Sequence, residues 1–159
     1  MSELLNELLI RHEGLRLTPY RDTKGLLTIG VGRNLDEVGL TKDEALLLLS
    51  NDLERVRCEL DQALPWWNKL GEVREAVLIS LGYNLGVLTP PGKAKLLTFS
   101  HTLDLIKNAR YAEAADRLLT LPWADQVGKE PPSERFPYGQ RAYELTEMLR
   151  TGRWAGDTH

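Results

Sequence analysis

Cysteine is almost absent from this chain: among 159 residues only Cys58 carries a thiol, so no internal disulfide can form and folding needs no oxidising compartment. Cys58 falls in a helical, partly apolar stretch, where a buried, inert thiol is expected rather than a nucleophile. Histidine is scarce as well. His12, His101 and His159 stand alone, without zinc-type spacing, so no metal is expected. No apolar run reaches the length of a membrane span, and stable membrane insertion is not expected. The run Met1-Ser2-Glu3-Leu4-Leu5-Asn6-Glu7 is acidic and lacks a basic n-region, so the expectation is synthesis and folding in a cytoplasm without a secretory signal. Positive charge is not in excess: 20 Lys and Arg face 23 Asp and Glu, a net charge of -3, which argues against a general nucleic-acid binder. Internal repeats and low-complexity tracts are missing. So are a Gly-x-Ser-x-Gly elbow and a Gly-x-x-x-x-Gly-Lys-Ser/Thr phosphate loop, and Gly30-Val31-Gly32 falls short of a dinucleotide fingerprint.

What is present describes a packed α+β domain, predominantly helical. Hydrophobic residues make up 42% and charged residues 27%, which suits one domain or one domain with two lobes. Leu4, Leu5, Leu8 and Leu9 are spaced for a helix over 3–13, which Gly14 stops. Thr41-Lys42-Asp43-Glu44 is a capping box. It opens a helix expected over 42–64, ended by Pro65, whose apolar stripe (Leu46, Leu49, Leu53, Val56, Leu60, widened by Leu47 and Leu48) marks it as central to the core. A further helix over 72–85 should bury Val73, Ala76, Val77, Ile79 and Leu81 and stop at Gly86. Others are expected near 95–108, 111–120 and 138–150. Between the last two, Gly128 to Pro137 holds three prolines in ten residues and reads as an exposed, irregular excursion. The one β element lies near the N-terminus, where Lys24-Gly25 marks a turn between two short strands. A hairpin projecting from a helical body is a plausible wall of a cleft.

The polar residues of interest cluster there. Glu13 sits where its helix stops, and the partial negative charge of a helix C-terminus disfavours a carboxylate by a few tenths to about 1 kcal/mol. Such a setting favours the neutral acid that a proton donor must be. Asp22 follows nine residues later, just before the turn. If the loop is Thr23-Lys24-Gly25, Asp22 pairs opposite Leu26, and Thr28 shares its face by the period-two alternation of strands. Asp22 and Thr28 could then hold one water. Taken singly, each residue has a plainer reading: a solvated glutamate, an Asx-turn aspartate, an ordinary strand threonine. Together they offer two carboxyl groups in different surroundings, the set that glycosidic hydrolysis needs.

The run His12-Glu13-Gly14-Leu15-Arg16-Leu17, then Tyr20-Arg21-Asp22-Thr23-Lys24-Gly25 and Thr28-Ile29-Gly30-Val31-Gly32, resembles the N-terminal motif of the phage-type, T4-like lysozymes, the muramidases of glycoside hydrolase family 24. Weaker similarity continues through Asn84-Leu85-Gly86, Glu113-Ala114-Ala115, Trp123, Arg141-Ala142 and Thr151-Gly152-Arg153-Trp154. The resemblance implies a lysozyme-like fold with two lobes in a single catalytic domain over 1–159. A β-containing lobe would cover about 14–40, a connecting helix about 42–64 and a helical lobe about 66–154. It implies Glu13 as general acid, Asp22 and Thr28 as the residues that position and activate water, and Arg141 as support for the acid. Tyr83, Asn84, Thr102 and Arg117 fall where the family lines its sugar cleft, and Asn34 is a further substrate contact. Three departures stand out. Arg33 replaces a histidine common in the family, the segment after it is shorter, and the 128–137 excursion is longer.

The reading that follows is an endolysin-type, inverting muramidase. It would cleave the β-1,4 bond between N-acetylmuramic acid and N-acetylglucosamine in peptidoglycan, without cofactor, as a monomer. It would be made in a host cytoplasm and would reach periplasmic peptidoglycan once a holin-type partner has breached the membrane. A lytic transglycosylase, which also uses one glutamate but no water, is the alternative within enzymes. A catalytically idle wall-binding module is the alternative outside them.

Overall fold

The computed structural model describes residues 3–157, so His159 and the first two residues of the acidic N-terminal run lie outside it. The chain divides into two compact units, Met1–Ser50 and Asn51–His159. Seven α-helices and one three-stranded sheet make up the regular structure of the described residues, an α+β fold dominated by helix.

In the first unit, α1 (Glu3–Glu13) ends where the Gly14 amide closes on the Ile10 carbonyl at 2.8 Å. Strands β1 (Arg16–Arg21), β2 (Leu27–Gly30) and β3 (Arg33–Asn34) follow as an antiparallel sheet in chain order. Tyr20 pairs with Thr28 and Arg21 with Leu27, but the register slips between Arg16 and Tyr20. Pro19 lies in that slip, as expected for a residue with no amide to give a ladder. Gly25 closes the first hairpin at φ 82°, in the left-handed region that a side chain would oppose. From Arg33 the chain turns into a loop held by the Arg33 guanidinium. That group donates to the Gly39 carbonyl at 3.1 Å and forks onto Glu44 at 2.7 and 3.1 Å.

Glu44 also completes the capping box of α2 (Lys42–Ala63): its carboxylate accepts the Thr41 amide at 2.8 Å, while the Thr41 hydroxyl accepts the Glu44 amide at 3.2 Å. The Thr41 amide first, and the Arg33 guanidinium next, lower the Glu44 pKa to about 2. The Arg33–Glu44 ion pair thus ties the loop after β3 to the first turn of α2.

The core lies in the second unit. Leu60, Leu78, Leu81, Leu96, Ile106, Leu118 and Leu149 are fully buried. α3 (Glu72–Leu85) packs on α7 (Arg141–Thr151), while α5 (Tyr111–Leu119) packs on α4 (Ser100–Lys107), α6 (Pro122–Val127) and α7. Several expectations need correction. The α2 stripe is not core along its length: Val56 and Leu60 are buried and Leu53 is half-buried, but Leu46 to Leu49 are exposed. Cys58 is exposed, on the α2 face away from Val56 and Leu60. In α3, Val77, Leu78 and Leu81 are buried, whereas Val73, Ala76 and Ile79 are half-buried. The helix expected near 95–108 is broken into a 3-10 turn over Leu96–Thr98 and α4, and α7 begins at Arg141 rather than near 138. α6 was not expected at all. Its Pro122 occupies the first helical turn, where the missing amide costs nothing.

The 128–137 excursion has no regular structure but is closed at its base. The Ala142 amide bonds the Gly128 carbonyl at 2.8 Å, and the Gln140 amide bonds that of Glu130 at 2.9 Å. The Gln140 side chain returns a bond from the Glu130 amide at 3.0 Å.

Candidate active site

The hairpin fixes Asp22 twice over. Its amide donates to the Leu26 carbonyl at 3.0 Å, so the loop is Thr23-Lys24-Gly25 and Asp22 faces Leu26. The reciprocal ladder bond is taken by the side chain: Oδ1 accepts the Leu26 amide at 2.9 Å and the Lys24 amide at 2.8 Å. Asp22 is thus the Asx-turn residue that its sequence position suggests. That role uses one oxygen only, and Oδ2 takes no hydrogen bond within the unit.

Two residues after Leu26, Thr28 lies on the same sheet face. It occupies the central strand, opposite Tyr20 on one side and Asn34 on the other. It is also the one buried residue of the first unit among those described, at 3% exposure. Its hydroxyl donates to the Leu26 carbonyl at 3.1 Å, which leaves the oxygen free to accept.

Glu13 closes α1 and is exposed. Its carboxylate lies over the β2–β3 turn, where a Cβ added at Gly32 would stand 3.4 Å from Oε2. Gly32 has φ 73°, so the turn needs glycine for its backbone as well as for this close approach. The local folding of one unit therefore places Glu13 at one end of β2 and Asp22 beyond the other, with Thr28 between them.

Asn34 is engaged in its own turn. Its Oδ1 accepts the Glu37 amide at 3.0 Å, its Nδ2 donates to the Glu37 carboxylate at 3.0 Å, and its carbonyl accepts from Val38 and Gly39. Both ends of its side chain are occupied by one neighbour. Asp36 also supports the sheet, accepting the Leu27 amide at 2.8 Å. No spacing signal in the sequence marked that bond.

In the second unit Tyr83 and Asn84 end α3, both exposed. Asn84 Oδ1 accepts the Trp123 indole N–H at 2.9 Å, which leaves the Asn84 amide donor free. Thr102 is buried at the start of α4, and Arg117 is exposed on the last turn of α5. The fold brings these two onto one small pocket. Arg141 opens α7 and lines a separate groove with Ser80, Gln126, Glu144 and Leu145.

A buried carboxylate that sequence reasoning missed is Glu59, on α2. Its Oε2 accepts the amides of Leu88 at 2.9 Å and Thr89 at 3.2 Å, and Arg55 reaches Oε1 at 3.3 Å. Burial acts to raise its pKa, but the hydrogen bonds from Thr89 and Leu88, with Arg55, outweigh it and bring the value down to about 2. It pins the loop after α3 to α2 and is a structural group. Among the described residues no cluster of His, Cys, Asp or Glu could hold a metal ion, and no helix is long and apolar enough to cross a membrane.

The first unit thus sets Glu13, at the end of α1, beside the small sheet whose first hairpin holds Asp22 and Thr28, and likeness to known proteins makes the chain a lysozyme-type hydrolase. Residues 10–133 match the model of the phage lysozyme family, and the chain belongs to that family. Among curated proteins it is similar to a probable T4-type lysozyme 1 of Dictyostelium discoideum. The two are 26% identical over an alignment that covers 80% of this chain and 88% of that protein.

Proposed function

We propose that this lysozyme-type enzyme is an endolysin muramidase that hydrolyses the β-1,4 bond between N-acetylmuramic acid and N-acetylglucosamine with inversion. Glu13 protonates the leaving glycosidic oxygen. A water donates one hydrogen to Asp22 Oδ2 and the other to the Thr28 hydroxyl oxygen, and its lone pair attacks the opposite face of the sugar. The observation that carries this reading is the division of labour at Asp22, one oxygen spent on two turn amides and the other unengaged on the face it shares with Thr28. Both partners are acceptors toward that water, because the Thr28 proton is already given to Leu26.

Inversion requires a carboxyl separation of about 6.5–9.5 Å in the substrate complex, against about 5–5.5 Å for a covalent, retaining route. On family likeness, Tyr83, Asn84, Thr102, Arg117 and Asn34 contact the glycan and Arg141 supports the acid. The enzyme works as a monomer in host lysis and reaches periplasmic peptidoglycan from the cytoplasm after a holin-type lesion.

NMR of the anomeric products from purified peptidoglycan tests the mechanism. Inversion is expected, and retention removes the water-activating role. Anhydromuramic ends would identify a lytic transglycosylase instead. Glu13→Gln should keep the fold and lose nearly all hydrolysis, whereas a variant that keeps most activity would mean that Glu13 is not the acid.

A further inference from the structure

Three aromatic side chains are exposed among the described residues, those of Tyr83, Tyr138 and Trp154, and two of the three line one groove of the second unit. Tyr138 is 54% exposed and Trp154 43%. The 128–137 excursion supplies Pro132 and Pro137 and leads directly into Tyr138. α7 adds Tyr143 and Glu144, and the segment after α7 adds Trp154. The groove holds about 460 Å³, within the range of about 300–1,000 Å³ usual for small-ligand sites. None of the residues assigned above to catalysis or glycan contact lines it.

Two close approaches to glycine hold the rings in place. A Cβ at Gly156 would stand 2.8 Å from Tyr138 Cε1, so that ring lies against the C-terminal segment. A Cβ at Gly139 would stand 2.5 Å from Tyr143 Cδ1, so the second ring lies against the end of the excursion. The excursion itself is turned by Ser133 and Phe136, which exchange backbone bonds at 2.9 and 3.1 Å. The polar groups of the groove are uncommitted. Glu144 is half-buried, yet its carboxylate has no ion pair or hydrogen bond among the described residues. Glu147 differs, since Arg150 holds it at 3.1 Å. The Tyr138 and Tyr143 hydroxyls and the Trp154 indole N–H are open as well, whereas the core indoles of Trp67 and Trp123 donate to Asp61 and Asn84 at 2.7 and 2.9 Å. Arg153 and Asp157 add one charge of each sign.

We propose that this groove is a second saccharide site, apart from the catalytic one, which grips a stretch of the glycan strand of peptidoglycan. A pyranose ring has apolar C–H faces and a rim of hydroxyls, each of them both donor and acceptor. Aromatic faces carry the negative lobe of the ring quadrupole and suit the C–H faces. The hydroxyl rim needs donors and acceptors together, and the groove offers both: carboxylates, phenol hydroxyls, an indole N–H and a guanidinium. An organic cation would leave the indole and Arg153 unused, and an anion would be repelled by Glu144. The proposal rests on the muramidase reading only for the identity of the glycan. Its effect is a second hold on an insoluble strand, which raises the effective concentration of enzyme at the wall without entering the chemistry.

The test uses the full chain and the 15N NMR signal of the Trp154 indole, titrated with a tetramer of N-acetylglucosamine. A saturable shift is expected. Tyr138→Ala should weaken that binding about tenfold, the scale of one lost aromatic face. Glu144→Gln should weaken it about fivefold, the difference between a charged and a neutral acceptor. An indole that does not shift, unchanged affinity in both variants, or an equal shift from tetramethylammonium overturns the proposal. Should Tyr138→Ala fail to fold, Glu144→Gln decides alone. A second arm measures co-sedimentation with purified peptidoglycan sacculi beside kcat/KM on a soluble tetrasaccharide of wall glycan. Glu144→Gln and Tyr138→Ala should each lose several-fold in sedimentation and keep kcat/KM within about twofold. Equal losses in the two measurements would place these residues in the catalytic cleft and refute a second site. If wild type shifts the indole yet releases no reducing ends from sacculi, the groove stands and the muramidase reading falls. Hydrolysis with a silent indole means the reverse.

Discussion

Asp22 holds a turn with one oxygen and, on our reading, a water with the other, and the two roles can be separated by substitution. Asp22→Ala removes both. The amides of Lys24 and Leu26 lose their acceptor at 2.8 and 2.9 Å. A hydrogen bond to a charged group contributes about 1.5–3 kcal/mol, but the Lys24 amide is exposed and water replaces much of its loss. The Leu26 amide is partly buried and carries most of the cost. A net loss of about 1–2 kcal/mol follows, or roughly 2–8 °C in Tm for a chain of this size. Asp22→Asn is different. The amide oxygen can take the place of Oδ1 and accept both bonds, so stability should fall by less than about 1 kcal/mol. The remaining nitrogen then faces Thr28 as a donor, and a water held between two acceptors loses one of them. Hydrolysis should drop by two orders of magnitude or more, the common scale for removing a general base. Urea melts followed by circular dichroism give the stabilities, and release of reducing ends from peptidoglycan gives the rates. An Asn variant with near wild-type rates would falsify the assignment of Oδ2 to chemistry. An Ala variant as stable as wild type would refute the account of the turn.

Three other outcomes are expected. Glu59 has its pKa depressed to about 2, so its contribution to stability is present above the ordinary glutamate range and is lost as pH falls from about 5 toward 2. Stability measured across that window should decline less steeply in Glu59→Gln, while Glu59→Ala should cost about 2–3 kcal/mol at neutral pH by stranding the Leu88 and Thr89 amides. Gly82→Ala should cost about 1–3 kcal/mol in a denaturant melt, because its Cβ would stand 2.8 Å from Val87 Cγ2 and 3.0 Å from Val56 Cγ1 inside the core. Arg33→Ala should raise the Glu44 pKa from about 2 but leave it below the ordinary range, since the Thr41 amide is the larger cause and remains. A carboxyl 13C titration checks this, and an unchanged Glu44 would show that the guanidinium fork does not hold in solution.

Much of the chain's local structure follows from short-range chemistry that can be read along the sequence. The capping box at Thr41 and Glu44 sets the start of α2, Pro65 bounds its end, and Gly14 and Gly86 stop α1 and α3. The hairpin register follows from a three-residue loop, and it places Asp22 and Thr28 on one face without reference to anything distant. Each of these is decided by backbone stereochemistry and hydrogen bonds a few residues apart.

Other features depend on what the rest of the chain places nearby. Helical periodicity marks Leu46 to Leu49 as apolar, yet burial needs a facing surface, and the second unit's core covers only Val56 and Leu60 of that stripe. Cys58 misled for the same reason, since composition cannot say which side of a helix meets a neighbour. Glu59 reads as one more polar residue on α2. Only the fold brings amides from 29 and 30 residues away onto its carboxylate. Likewise Thr102 and Arg117 come from different helices, and packing of α4 on α5 is what turns them into two walls of one pocket. The sequence by itself determined the helices, the hairpin and the residues it displays. The tertiary structure decided which polar groups are buried, which are satisfied and which are left open, because those properties depend on atoms far apart in the chain.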